Sequence, residues 1–240
     1  MIVKDYSENI DDFEAYVREK LDSISSLSIG NDSILFRKVL YVSFLDSPAA
    51  TIYPDKRNKE RFVALVDSFS YWEEKDNVSL THLGKLVAIT SDPELEEVRI
   101  YVDKQLKQWE QRTNRNIPIS EDPSYKDIRN KGWANSKDTN PKVSLANFKH
   151  SHLLYQLRNS LIHQFQAKNE PESNNFDSPF YRWTLDSTMK PVQINLIYPA
   201  KFLKKISETI LCRVIKHLRE ENINPFPHYY AGDYMLRRLE

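Results

Sequence analysis

The sequence predicts a mainly helical bundle, all-α apart from one inserted β-hairpin. Apolar residues recur at three- and four-residue steps through several long stretches, the signature of amphipathic helices. Only 4 of the 240 residues are glycine, and no strands alternate at regular spacing, which argues against a barrel, a sandwich or a doubly wound sheet. Two consecutive strand-like runs stand together late in the chain and account for the hairpin.

Taken in order, Ile10, Phe13, Val17, Leu21 and Ile24 mark a first helix, with Asp11 or Asp12 as its expected cap. Asp32 to Leu45 repeats the rhythm through Ile34, Leu35, Val39, Val42 and Leu45, with the end expected before Pro48. Asp55 is expected to cap a third segment striped by Phe62, Leu65, Val66 and Phe69. Ser79 precedes a short apolar helix over Leu80 to Ile89. Asp92-Pro93 opens another helix, with Leu95, Val98, Val102, Leu106 and Trp109 facing inward. Five helices are thus expected before the middle.

Residues 112–143 are polar and hold several Asn and Pro residues and Gly132, which reads as a functional loop or a partly disordered excursion, parts of which dock through Tyr125 and Trp133. Ser144 is a cap for a helix running through Leu145, Phe148, Leu154, Leu157 and Leu161 to Phe165. The hairpin pairs Phe180–Leu185 with Val192–Tyr198 across the turn-rich Asp186 to Pro191. Pro199 starts a long last helix whose core face is Phe202, Leu203, Ile206, Ile210, Leu211, Val214 and Leu218. The aromatic tail from Asn222 carries Phe226, His228, Tyr229, Tyr230 and Tyr234. The expected organisation is therefore an N-terminal helical region (1–111), the polar excursion (112–143), a helical core with the hairpin (144–223) and the tail (224–240), all of which also fit within one domain.

Thirty-four acidic and 34 basic residues balance, so no global field drives the chain onto nucleic acid or an anionic membrane, and any polyanion contact must be local. The lone Cys212 offers no intrachain disulfide and falls on the apolar side of the last helix, where a buried thiol is expected. Met1 to Asp12 is acidic and lacks the basic start and apolar run of a secretory signal, and no apolar stretch is long enough to span a bilayer. A cytoplasmic protein without membrane contact is expected. No cofactor is expected either, and a zinc site from His150, His152 and His163 is disfavoured, because Cys212 and the carboxylates show no ligand spacing around them.

The chemistry-bearing stretch is Arg158-Asn159-Ser160-Leu161-Ile162-His163. On a helical wheel at about 100° per residue, Leu153, Leu154, Leu157, Leu161 and Phe165 fall on one side. His152, Gln156, Asn159, His163 and Gln166 gather on the other, so His163 is not a core histidine. Arg158 lies five positions before His163, roughly 140° round the axis, and flanks the apolar side. Two copies packed about a two-fold axis would bring Arg158 of one chain toward His163 of the other.

An arginine, a following asparagine and a histidine at this spacing on a late helix of a bundle resemble the HEPN superfamily, named for a nucleotide-binding domain of higher eukaryotes and prokaryotes. The resemblance covers about Ser144 to Leu218. It implies a homodimeric, metal-independent endoribonuclease, with Arg158 and His163 catalytic across a dimer cleft, Asn159 supporting them, and RNA as the substrate. It further implies a toxin–antitoxin or anti-phage defence setting, with an antitoxin protein as a possible partner, although some members have lost activity. The reaction would be attack of a ribose 2′-hydroxyl on the adjacent phosphodiester, leaving a 2′,3′-cyclic phosphate. An imidazole of near-neutral pKa can move the protons, and a permanently charged guanidinium can meet the phosphorane.

Each residue also has a structural reading. Arg158 can snorkel along the core edge, His163 can be a solvated polar-face residue, and Asn159 a surface one. His150 and His152 stand near the helix start and are read as bystanders. The alternative function is then a non-catalytic helical module of the same fold that binds a partner protein or a nucleotide.

Overall fold

In a computed structural model of the chain, the described residues are 5–90, 92–133, 143–165, 176–185, 187–188 and 191–228. They form a mainly helical protein with a small antiparallel sheet. Tyr229, Tyr230, Tyr234 and Gln166 of the sequence reading lie outside the described residues, as do residues 134–142 of the polar excursion. The elements gather into two compact units, each drawn from several stretches of chain, and the division falls inside one helix, after Leu157.

The first unit holds α1 (Ser7–Ser26), α2 (Ser33–Phe44), α3 (Asp46–Ile52) and α4 (Asn58–Phe69) from its first stretch. The last turns of α8 (His150–Gln164) and α9 (Ala200–Glu220) complete it. α9 is the hub, packing on α1, α2, α3 and α4. Every residue of its expected apolar face is buried, joined by Ile215. Aromatic contacts fill the surroundings, with Trp72 against Phe202 at 4.9 Å and Phe13 against Phe226 at 6.3 Å. Arg219, in the last turn of α9, bridges Asp11 at 2.8 Å and Glu14 at 2.7 Å on α1.

Four local expectations are corrected here. α1 begins at Ser7, so Asp11 and Asp12 lie inside it rather than capping it. Asp46–Ile52 is an additional helix that tolerates Pro48 because the proline sits in its first turn, where its missing N–H has no helical partner to lose. α4 starts at Asn58 after Arg57, and Asp55 does not cap it. Cys212 is exposed: Leu211, Val214 and Ile215 take the buried stripe of α9, and the helix turns position 212 outward.

The second unit holds α5 (Leu80–Ile89), α6 (Glu96–Glu110), α7 (Tyr125–Asn130), the first two turns of α8 and the sheet. Ser79 caps α5 by accepting from the His82 N–H, and Asp92 caps the short turn of Pro93 that leads into α6. Gly84 allows α5 and α6 to touch, because a Cβ there would sit 3.0 Å from Leu106 Cδ1 and 3.2 Å from Val102 Cγ1. The expected hairpin is present as β2 (Phe180–Leu185) and β3 (Pro191–Ile197). It is not alone, since β1 (Asn116–Pro118) pairs with β2 and makes the order β1-β2-β3. β1 and α7 both come from the polar excursion. Its Trp133 is buried, and Ser124 and Asp127 form a capping box at the start of α7.

Candidate functional site

α8 follows a separate 3₁₀ turn, Leu145–Phe148, which Ser144 caps through the Ala146 N–H. The continuous helix expected from Leu145 is therefore broken at Lys149, whose backbone is extended. α8 ends at Gln164, because Phe165 turns into the left-handed region at φ 48°. That turn carries Phe165 off the apolar stripe and leaves it 57% exposed, correcting its expected place on the apolar side.

The wheel holds for several of the other residues, although His152 and Asn159 of its polar side are half-buried. Leu153, Leu154 and Leu161 are buried, Leu157 is half-buried, and His163 is exposed in the last turn. Arg158 is mostly buried, its side chain 15% exposed. Its guanidinium is gripped from one side by Asp46, the first residue of α3, at 2.5 Å from Nη2 and 3.1 Å from Nε. Nη1 donates to Asn159 Oδ1 at 2.9 Å. The arginine is thus an oriented cation, with its plane set by a carboxylate and its neighbour's carboxamide. Asn159 and His163 stand one turn apart on α8, where side chains four residues apart share a face. Asp46 was not legible as a partner, because 112 positions separate it from Arg158 and no local pattern connects them.

A second polar constellation lies in the other unit, and its members were not recognised as a cluster. Asp122 and His150 are both fully buried, with His150 Nε2 2.7 Å from Asp122 Oδ2. The Tyr181 hydroxyl lies 2.5 Å from the same oxygen and the Leu80 N–H donates to Oδ1 at 3.0 Å, so three donors converge on one carboxyl group. Tyr181 also meets Ser79 Oγ at 2.8 Å, Ser79 Oγ lies 2.8 Å from His82 Nδ1, and His150 Nδ1 lies 3.0 Å from the Tyr198 hydroxyl. Burial, then the neighbouring Asp122 charge, push the Tyr181 pKa well above its ordinary value, which keeps this phenol a donor. His150, expected as a bystander to a phosphate site, is instead part of this enclosed core. Four segments are tied by it: the start of α5, the turn before α7, the start of α8 and the sheet.

The His82 ring sits at the edge of the cluster. Its pKa is lowered to about 4, first by burial and then by the electrostatic influence of Lys85 and His150. The folded value lies below that of the unfolded chain, so the stability this group confers is complete above about pH 6.5 and is lost as pH falls toward 4. The expected slope through that window approaches about 1.4 kcal/mol per pH unit. Urea midpoints between pH 7 and pH 4 test this, and His82→Gln should flatten the dependence; an unchanged slope in that variant refutes the assignment to His82.

Among the described residues, no group of three or more His, Cys, Asp or Glu side chains could hold a metal ion, and no helix is long and apolar enough to cross a membrane. Comparison with protein-family models, with curated proteins and with solved structures returned no match for this chain. Function must therefore be argued from the two constellations themselves. One of them is buried at Ser79, Asp122, His150, Tyr181 and Tyr198. The one on α8 shares its helix with an exposed imidazole, His163 in the last turn, and it is the candidate site.

Proposed function

We propose that this chain is a metal-independent endoribonuclease of the HEPN type, acting as a homodimer with Arg158 and His163 as catalytic residues and Asn159 in support. One observation carries the reading: Arg158 is held in a single orientation by Asp46 and Asn159, while His163, one turn beyond Asn159, is exposed to solvent. A guanidinium whose plane is set in advance loses little entropy on meeting a phosphorane, and an exposed imidazole can exchange protons with a 2′-hydroxyl or a leaving 5′-oxygen. On the wheel the two groups diverge by roughly 140°, which suits residues donated to one scissile linkage by two copies. A toxin–antitoxin or anti-phage setting, with an antitoxin as partner, belongs to the same proposal.

The deciding experiment incubates purified protein with a mixture of unstructured RNAs in EDTA. Cleavage should leave 2′,3′-cyclic phosphate ends, and a 2′-deoxy substitution at the cut position should block it, because the attacking group is then missing. Intact RNA at every protein concentration tested would refute the reading.

A second reading has its own observation in its favour. The Asp46 carboxylate already answers the charge of Arg158, as it would in a non-catalytic module that uses this pair to dock α3. Asp46→Asn separates the two. If Asp46 is a positioning residue, the isosteric change should slow cleavage roughly 10- to 100-fold through misplacement of the guanidinium, lowering kcat more than it raises KM. If the pair only packs, the variant should lose stability with no change in any RNA reaction.

A further inference from the structure

Tyr71 and Arg213 belong to the unit that carries Arg158 and His163, and the proposed reaction uses neither. Tyr71 follows α4 with a backbone φ of 51°, in the left-handed region where a bulky side chain is an outlier, yet it is 74% exposed. Its neighbours explain how the strain is held. Ser70 and Trp72 are both buried, the Trp72 N–H donates to Ser70 Oγ at 3.2 Å, and the indole is locked against Phe202. They do not explain why the position carries a tyrosine. Glycine or asparagine would adopt this φ with far less strain, and a small polar side chain would suit the solvent better. Arg213 of α9 supplies the remaining clue, with its guanidinium carbon over the ring, 3.4 Å from its centre.

We propose that Tyr71, backed by Arg213, is a stacking platform for an unpaired base of single-stranded RNA. A base stacks on an aromatic face whatever its identity, so such a platform contributes affinity without sequence preference. The tyrosine is pre-organised on both sides of its Cα, by the buried neighbours that hold the strained backbone and by the arginine that holds the ring, so little freedom is lost on binding. Arg213 and Lys216, three residues apart on α9, bring cations to the phosphates that flank a stacked base, Lys216 leaving its exposed pairing with Glu220 at 3.6 Å to do so. The identity of the ligand rests on the ribonuclease reading, but the platform does not depend on catalysis by His163.

The test measures binding of a fluorescein-labelled, unstructured oligoadenylate of about 12 nucleotides by anisotropy, in a His163→Ala background that leaves the probe uncut. Tyr71→Ala should weaken binding roughly 5- to 150-fold, while Tyr71→Phe and Tyr71→Trp should bind like the parent. Tyr71→Gly removes the ring and the strain together, so it should bind as weakly as the alanine variant while melting at or above the parent's temperature. Parent-like affinity in both Tyr71→Ala and Tyr71→Gly overturns the platform, as does an absence of any binding by the parent. The two proposals fail separately. Cleavage by the native chain with no dependence of binding on Tyr71 removes only the platform, whereas Tyr71-dependent binding by a chain that never cuts RNA removes only the nuclease.

Discussion

Replacing Asp122 with alanine is expected to lower the unfolding free energy by about 3–5 kcal/mol, the loss typical of breaking a fully buried pair by removing one partner. The loss follows from what remains behind. His150 Nε2, the Tyr181 hydroxyl and the Leu80 N–H all point at this carboxyl group, and Asp122 and His150 are wholly shielded from solvent. Without this acceptor, His150 Nε2 and the Leu80 N–H lose their carboxylate partner inside the core, while the Tyr181 hydroxyl keeps only Ser79 Oγ at 2.8 Å. Tyr181→Phe is the milder control, because it removes one donor and leaves the others satisfied, and it should cost about 1 kcal/mol. Urea denaturation with an unchanged m-value measures both. A loss below about 1 kcal/mol for Asp122→Ala would show that the cluster does not hold its unit together.

His163→Ala should reduce RNA cleavage by about 10² to 10⁴-fold, the usual contribution of a positioned general acid or base. The residue is exposed, so the variant should fold and melt like the parent. Arg158→Ala should produce a similar rate loss, but with an added fall in stability, since Asp46 would be left partly buried without its cation. The contrast is diagnostic: under the proposed mechanism the exposed His163 should lose rate alone, and the mostly buried Arg158 should lose both. Mixing the two inactive variants adds a sharper check. If each site takes Arg158 from one protomer and His163 from the other, half-active mixed dimers should regain cleavage, because one of their two sites is intact. Activity of His163→Ala within about tenfold of the parent would remove the histidine from the mechanism.

Much of this architecture was legible because it is periodic. The face of α9 could be read from spacing alone, and the structure buries each of its expected residues. Ser79 and Asp92 were legible as the residues that open their helices, because the bond each makes is closed within three residues, whereas Ser144 caps a 3₁₀ turn and not the continuous helix expected after it. The exposure of His163 followed from the wheel, as did a position for Arg158 on the flank of the apolar side, while the burial of its side chain did not. The misses are equally physical. α3 was hidden by Pro48, which reads as a breaker unless the helix is known to begin two residues earlier. β1 spans only three residues and ends in proline, so it has no pattern of its own and exists through its pairing with Phe180, Tyr181 and Arg182. Phe165 followed the apolar rhythm on paper, and a left-handed turn removed it from the stripe.

From residue order alone came the helical class, the hairpin, the buried faces of α1, α4 and α9 and the candidate triplet on α8, the helical ones because they depend on rotations of about 100° per residue along a single segment. Only the tertiary structure decided that Asp46 grips Arg158, that Asp122 gathers His150, Tyr181 and Leu80, and that Tyr71 stands exposed beneath Arg213. Those contacts join residues 28 to 112 positions apart among the hydrogen-bonded pairs named. At such separations chain connectivity dictates nothing, and partners are chosen by which surfaces the packing of the whole bundle brings together.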